Sequence, residues 1–382
     1  MRPPFRADHV GSLLRPARLK AARERLLGAQ TADQNLGPHE NEALRAVEDE
    51  CIGEAIAMQE RVGLWAATDG EFRRRSWWLE LVMNWHGVSA NRTGMSTDDL
   101  AWRNRDGVRQ AFSRLYVTGK LEWRPSPIAR ALAFLKANTR IVPKVTIPAP
   151  ILLHMYAGGD AGLAEGHYRD IDEFWTDVVA AYRRELAALI EAGARYIQFD
   201  DTSIAFLCDP RHRATVARWG NAPDALLAHH VRRMNEVMSD VPDEIVVTLH
   251  QWRGNREGNW AAAGGYDPVA DRLFNEIDVD GYFLEYDTER AGGFAPLRLL
   301  PKGEKIVVLG IMSSKTPDLE SVDALRRRVE DAARYAPLDQ LALSPQCGFA
   351  SSIVGNPMSE PEEEAKLARL VETARAVWGD IS

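Results

Sequence analysis

A histidine, a glutamate and a cysteine each stand at or just past the end of a short apolar run. The residues are His250, Glu285 and Cys347. Imidazole, carboxylate and thiolate groups are the usual ligands of zinc, and three of them with one open position are typical of a catalytic zinc site. The sequence therefore predicts that these three residues bind a Zn²⁺ ion.

Each of the three residues also has a structural alternative. A histidine at a strand end commonly serves as a hydrogen-bonding residue, and Cys347 alone could be an inert core thiol. Glu285 is harder to explain in this way, because an unpaired buried carboxylate is costly. Spacing alone leaves both the metal site and the structural alternative open.

Acidic residues follow two other apolar runs. Asp69 and Glu71 come after one run, and Asp200 and Asp201 end another. They are placed to hold a substrate ammonium, but they could equally cap the following helices or pair with the arginines 73–75.

Further polar and aromatic side chains stand near the same run ends. His9 and Ser12 follow the first run, while Trp252 and Arg253 follow His250. Arg253 could orient a carboxylate or cap a turn. The tryptophan pair 77–78 could form a stacking floor for a flat substrate or simply pack in the core.

Eight β-like runs separated by amphipathic segments must position these residues. The runs are 5–10, 64–69, 142–147, 195–200, 244–250, 280–285, 305–311 and 339–343. Helical patterns cover 41–61, 169–192, 222–239, 319–335 and 361–378. This alternation predicts an α/β fold, a (β/α)₈ barrel with the site at the carboxyl ends of its strands. A doubly wound sheet is the competing interpretation, although the glycine-rich phosphate fingerprint is absent.

The main interruption of the strand–helix alternation is 73–130, which is rich in tryptophan. We interpret it as an insertion after the second strand that covers the barrel mouth, with a hairpin around 115–123. Residues 1–382 are otherwise predicted to form one barrel domain.

Bulk properties narrow the classes of partner and compartment. The formal charge of −8 and the pI near 5.7 disfavour nucleic acid or an anionic membrane as partner. No apolar run is long enough for a membrane span, and the N-terminus lacks the apolar core of a secretory signal. Three cysteines give no disulfide framework, so a reducing, cytoplasmic location is expected.

Several motifs together resemble the cobalamin-independent methionine synthase family, in particular its single-barrel members, over nearly the whole chain. They lie at 9–12, 68–72, 197–202, 250–255, 283–285 and 344–348. The resemblance implies a TIM barrel of the methionine synthase and uroporphyrinogen decarboxylase type. It also implies a methyltransferase of methionine biosynthesis, similar to 5-methyltetrahydropteroyltriglutamate–homocysteine methyltransferase. A zinc ion would activate the thiol, and a tetrahydrofolate would be the usual methyl donor.

The resemblance also implies roles for single residues. Glu71 and Asp200 match the residues that hold the amino group of the amino-acid thiol, and Ser12 matches a residue near its carboxylate. The zinc motif of the family is His-x-Cys, and Trp252 stands in place of its cysteine. Because side chains alternate along a strand, His250 and Trp252 are expected to share one face.

The leading hypothesis is a zinc-dependent methyl- or alkyltransferase acting on a small thiol or thioether. One alternative is a carbon–sulfur lyase or demethylase, because a three-ligand zinc with one thiolate is a stronger Lewis acid. Another is a metal-free binding protein. The thiol, the methyl donor and the oligomeric state stay open, with a homo-oligomer among the options.

Overall fold

The structure, a computed structural model, describes residues 2–28, 37–91, 100–103, 107, 109–111, 114–163, 166–379 and 381. In chain order its strands are β1 (Ala66–Ala67), β2 (His86–Asn91), β3 (Ala101–Arg103), β4 (Arg109–Ala111), β5 (Arg114–Glu122), β6 (Val142–Pro148), β7 (Tyr196–Asp201), β8 (Val246–Gln251), β9 (Gly281–Glu285), β10 (Ile306–Met312) and β11 (Leu341–Pro345). Its α-helices are α1 (Ala17–Leu27), α2 (Glu42–Val62), α3 (Leu79–Val82), α4 (Pro127–Asn138), α5 (Ile151–Ala157), α6 (Gly159–Leu163), α7 (Ile171–Glu191), α8 (Ser203–Phe206), α9 (Pro210–Arg218), α10 (Pro223–Met238), α11 (Ala270–Glu276), α12 (Val322–Ala332) and α13 (Glu360–Trp378).

Parallel strands form a curled sheet in the order β1-β6-β7-β8-β9-β10-β11. The first predicted strand closes this sheet into a barrel. Ala7 forms a parallel bridge with Leu343 of β11, and on the other side the Thr68 hydroxyl donates to the carbonyl of Gly11 at 2.6 Å. The predicted α/β barrel is thereby confirmed, although the first strand is reduced to a bridge and the second to two residues.

The helices cover the outside of the sheet with amphipathic faces. In α7, Phe174, Val178 and Ala181 are buried, as the helical spacing predicts. Asp170 caps the N-terminus of this helix, because its side chain accepts a hydrogen bond from the backbone N–H of Glu173 at 2.9 Å. Within the described ranges, every helix is too short or too polar to cross a membrane.

The segment between β1 and α4 contains two small antiparallel pairs, β2 with β5 and β3 with β4. The predicted hairpin around 115–123 is wrong. These residues lie mostly in the single strand β5, which pairs with the upstream strand β2. Arg103 of β3 pairs with Trp260 in the loop after β8, so this segment contacts the carboxyl end of the barrel. The last residues of 73–130 belong to α4, which packs on β6.

A buried ion pair lies inside the barrel. The Lys144 ammonium is 3.1 Å from Asp8 Oδ1 and donates to the carbonyl of His9 at 2.6 Å, and both charged side chains are fully buried. The Tyr196 hydroxyl donates to Asp8 Oδ2 at 2.8 Å. The Phe283 ring lies 3.9 Å from the ammonium. This pair therefore connects the first strand with β6, β7 and β9.

Glu363 of α13 predicts a pH dependence of stability. Its carboxyl accepts the backbone N–H of Leu14 at 3.0 Å, and burial raises its pKa to about 8. The unfolded chain releases this proton near pH ~4.3, so we expect stability to fall as pH rises from about 4.3 to 8. Glu363→Gln keeps the acceptor and removes the titration. It should raise the melting temperature at pH 8.5 by a few degrees but not at pH 5.

Thermal melting across this pH range tests the prediction, with the exposed Glu304→Gln as control. Equal melting temperatures of the Glu363→Gln variant and the wild type at pH 8.5 would contradict it.

Candidate active site

Glu71 and Asp200 meet at the carboxyl end of the barrel. Glu71 Oε1 accepts from the Thr146 hydroxyl at 2.7 Å and lies 3.4 Å from Arg74 Nη1. Its other oxygen, Oε2, is buried and has no hydrogen-bond partner in the described part of the chain. Burial raises the pKa of Glu71, and the charge of Asp200 adds to this rise while Arg74 opposes it. Two carboxyl groups this close favour a bound cation.

The backbone at Glu71 is unusual. Its φ of 59° lies in the left-handed region that non-glycine residues rarely adopt. Asp69 supports this turn by accepting the backbone N–H of Glu71 at 2.9 Å. Such strained residues cluster at functional sites. Asp69 also lines a cavity of about 240 Å³ between α2 and α4, beside Arg73.

Among the other predicted substrate-binding residues, Asp201 has structural contacts, whereas both ring nitrogens of His9 are buried with no hydrogen-bond partner among the described residues. Asp201 accepts the backbone N–H groups of Ser203 and Ile204, both at 2.9 Å, and the Gln251 amide at 2.8 Å. Its oxygens are therefore used within the fold. Burial lowers the pKa of His9 to about 4, so its imidazole is neutral at pH 7.

Ser12 packs against the loop that follows β11. A Cβ atom added at Gly348 would lie 1.9 Å from the Ser12 hydroxyl oxygen, so only glycine fits there. The carbonyl of Ser12 accepts the N–H of Phe349 at 2.9 Å. The first and last barrel loops are thus joined beside Cys347.

His250 and Trp252 share one face, as the strand alternation predicts. Their rings stack with centroids 4.5 Å apart and planes 9° apart. His250 Nδ1 lies 3.0 Å from Asp200 Oδ1, whereas Nε2 is buried with no hydrogen-bond partner among the described residues. This orientation leaves Nε2 available to a ligand.

Glu285 is surrounded by cations. Oε2 accepts the backbone N–H of Arg253 at 2.6 Å, Oε1 lies 3.1 Å from Lys315 Nζ, and Arg290 donates to the same Oε1. Although burial alone would raise it, the charges of Arg290, Lys315 and Arg253 hold the pKa of Glu285 well below its usual range. Arg253, predicted to bind substrate, instead stacks on Tyr266 at 4.2 Å and donates to Gly264.

Cys347 is buried, and its sulfur lies 3.8 Å from the Ser351 hydroxyl. Burial raises the pKa of this thiol to about 12, although the charge of Lys315 partly opposes the shift. The thiol is therefore protonated near neutral pH in this arrangement.

The residues as arranged do not fit a zinc ion. No group of three histidine, cysteine, aspartate or glutamate side chains in the described ranges has the geometry to hold a metal. His250 Nε2 has no partner among the described residues, but the oxygens of Glu285 are engaged by Lys315, Arg290 and the backbone N–H of Arg253. The metal site of His250, Glu285 and Cys347 stays a prediction that this arrangement does not support.

An aromatic group lies over the same region. Trp77 meets Trp252 at a centroid distance of 4.6 Å and Tyr156 at 6.4 Å, and Trp78 meets Tyr156 at 5.3 Å. The Tyr156 hydroxyl lies 3.1 Å from that of Thr202. The two tryptophans thus reach the strand ends.

Sequence reasoning missed Tyr156 and Lys315. Tyr156 lies on α5, eight residues after the end of β6, and Lys315 follows β10 by three residues. A search of the first turns after each strand, rather than the strand ends alone, could have found both.

Comparisons with known proteins agree with this architecture. Residues 128–375 match the family model for the cobalamin-independent synthase, catalytic domain. YxjH of Bacillus subtilis is 37% identical over 377 residues, which cover 98% of this chain and 95% of that protein. A methionine synthase of Pyrococcus abyssi is 25% identical over 241 residues, covering 62% of this chain and 60% of that protein.

A crystal structure of a Listeria monocytogenes protein, provisionally assigned as a vitamin-B12-independent methionine synthase, has a TM-score of 0.74. It is 32% identical, with all of both chains covered. The family model covers more than half of the chain, and both long matches exceed 30% identity. The chain therefore belongs to the cobalamin-independent methionine synthase family.

Proposed function

We propose that this protein transfers a methyl or alkyl group to a small thiol that also carries an ammonium group. The observation that carries the proposal is the unpartnered, buried Oε2 of Glu71 beside Asp200. A ligand ammonium supplies the hydrogen bond that Glu71 Oε2 lacks, and it adds a positive charge beside Asp200 to the one that Arg74 already provides. An amino-acid thiol such as homocysteine fits this requirement.

In the transfer, the sulfur forms a bond to the methyl carbon, the bond between that carbon and the donor breaks, and the thiol proton passes to the donor. The donor keeps the electron pair of the bond that breaks. Glu71 and Asp200 fix the amino end of the acceptor, which holds its sulfur in a reproducible position. In this proposal a flat donor such as a 5-methyltetrahydrofolate packs beside the aromatic group of Trp77, Trp78 and Tyr156. As part of this proposal, the described residues of 73–126 cover the donor.

Binding calorimetry tests the carboxylate pair. Glu71→Gln and Asp200→Asn should each weaken homocysteine binding by roughly 10- to 100-fold, because each removes a charge-assisted hydrogen bond. Desamino-homocysteine, which lacks the ammonium, should bind the wild type about as weakly as homocysteine binds the two variants. Neither substitution should change its affinity. The exposed Glu304→Gln serves as a matched control.

Equal affinity of the wild type for the two ligands would refute the role of the pair. Melting temperatures separate lost binding from lost folding. Product analysis with a panel of methyl donors then identifies the donor, and release of a free thiol from methionine would support a carbon–sulfur lyase instead.

A further inference from the structure

We infer that the Lys315 ammonium supplies the fixed positive charge at Glu285 in place of a metal ion, and that together with Trp252 it makes this site independent of zinc. The inference concerns the metal and does not depend on which thiol the protein binds. It rests on three observations: a closed ionic cluster, a loop that fixes Lys315, and an indole where a ligand is needed.

Protein cations already neutralise the carboxylates around Glu285. Lys315 Nζ lies 3.1 Å from Glu285 Oε1 and 3.5 Å from Asp287 Oδ2, and both carboxylate side chains are fully buried. Arg290 contacts the same two carboxylates. Two carboxylates thus face two side-chain cations, and the Arg253 guanidinium lies 3.8 Å from Glu285 Oε2 as a third.

A zinc ion would disturb this balance. A divalent ion with one thiolate adds net positive charge to a buried cluster that already has an excess of cations. Binding through Glu285 would also require Lys315 or Arg290 to leave its carboxylate. A buried cation that loses one of its two carboxylate partners is destabilised, because water does not replace the lost counter-charge.

The loop after β10 fixes Lys315. Ser313 donates to Asp287 Oδ2 at 3.2 Å and accepts the backbone N–H of Lys315 at 3.3 Å. The Ser314 hydroxyl lies 2.9 Å from Gln346 Oε1 and 3.0 Å from the carbonyl oxygen of Gly348, and its proton can be donated to either. These contacts hold the lysine beside the loop that carries Cys347. The ammonium is therefore part of the folded loop and not a freely moving side chain.

Trp252 removes a further ligand position. Its indole stacks on His250 and has no lone pair that could bind a metal. Trp77 packs edge-on against the same indole at a centroid distance of 4.6 Å, so the ring is held in place. His250 and Cys347 then lack a second thiolate, while the third predicted ligand, Glu285, is neutralised by protein cations.

Zinc stoichiometry and affinity test the inference directly. Full-length protein is produced with added zinc, analysed for metal, stripped with a chelator and titrated with ZnCl₂ against a competing chelator. We expect wild-type protein to hold less than about 0.1 zinc per chain and the double variant Trp252→Cys/Lys315→Met to hold about one, with at least ~1,000-fold tighter binding. Adding Cys347→Ala to the double variant should abolish the zinc binding that it gained.

Stoichiometric zinc in wild-type protein that is lost in His250→Ala or Cys347→Ala would overturn the inference. A double variant that folds, as judged by its melting temperature, but gains no zinc would overturn the assignment of Lys315 and Trp252 as the residues that exclude the metal. Homocysteine binding by Glu71 and Asp200 is measured separately. A failure of the proposed thiol binding can therefore be distinguished from a failure of the proposed zinc exclusion.

Discussion

Asp8→Asn is expected to lower the free energy of unfolding by about 3–5 kcal/mol. Asn keeps the shape and an acceptor oxygen but removes the only carboxylate that is within 4 Å of the Lys144 ammonium among the described residues. The ammonium then stays buried without a counter-charge. Burial already lowers the pKa of Lys144, and Asp8 is the first of the groups that oppose this shift. Denaturant unfolding at pH 7 measures the loss.

The double variant Asp8→Asn/Lys144→Met is the matched control. Because it removes both charges, we expect it to recover most of the stability that the single variant loses. The exposed Asp243→Asn change should have little effect. A single variant within about 0.5 kcal/mol of the wild type would show that the pair does not hold the barrel interior together.

Glu285→Gln is expected to destabilise chelator-treated protein by a similar amount, about 3–5 kcal/mol. The amide cannot balance Lys315 and Arg290, which then face each other across Asp287 alone. Unfolding is measured with a chelator present, so that bound metal cannot contribute. The exposed Glu289→Gln change in the same loop is the control.

This experiment also separates two roles of Glu285. If it is chiefly a zinc ligand, the variant should melt like the wild type in chelator and differ only when zinc is added. That result would contradict the ionic role. A large loss in chelator would support it.

The strand–helix alternation predicted parallel strands with helices between them, because buried parallel strands appear as apolar runs with polar residues at their ends. It left a doubly wound sheet open, and the family resemblance favoured the barrel. The same alternation placed His250 and Trp252 on one face, and their ring stacking confirms it. Local pattern could not reveal what those side chains touch. Glu285 was expected at a strand end, but its partners Lys315 and Arg290 come from loops whose positions depend on the closed barrel.

Two other features that the sequence did not predict also depend on contacts between distant parts of the chain. Lys144 lies within an apolar run, and nothing local indicates that Asp8, far away in the chain, neutralises it. The segment 115–123 resembles a hairpin by composition, yet β5 pairs with β2, which lies well upstream in the chain. Long-range pairing decides both cases, and a single sequence does not contain that information in its periodicity.

The bridge between Ala7 and Leu343 has a consequence for biosynthesis. The first strand and β11 are separated by nearly the whole chain. The first strand therefore leaves the ribosome long before β11 has been synthesised. Until β11 emerges, the edges of β10 and of the first strand lack their partners and can pair with other chains. We therefore expect closure to be a late, slow step of folding, and nascent chains that stop before β11 to be the aggregation-prone species.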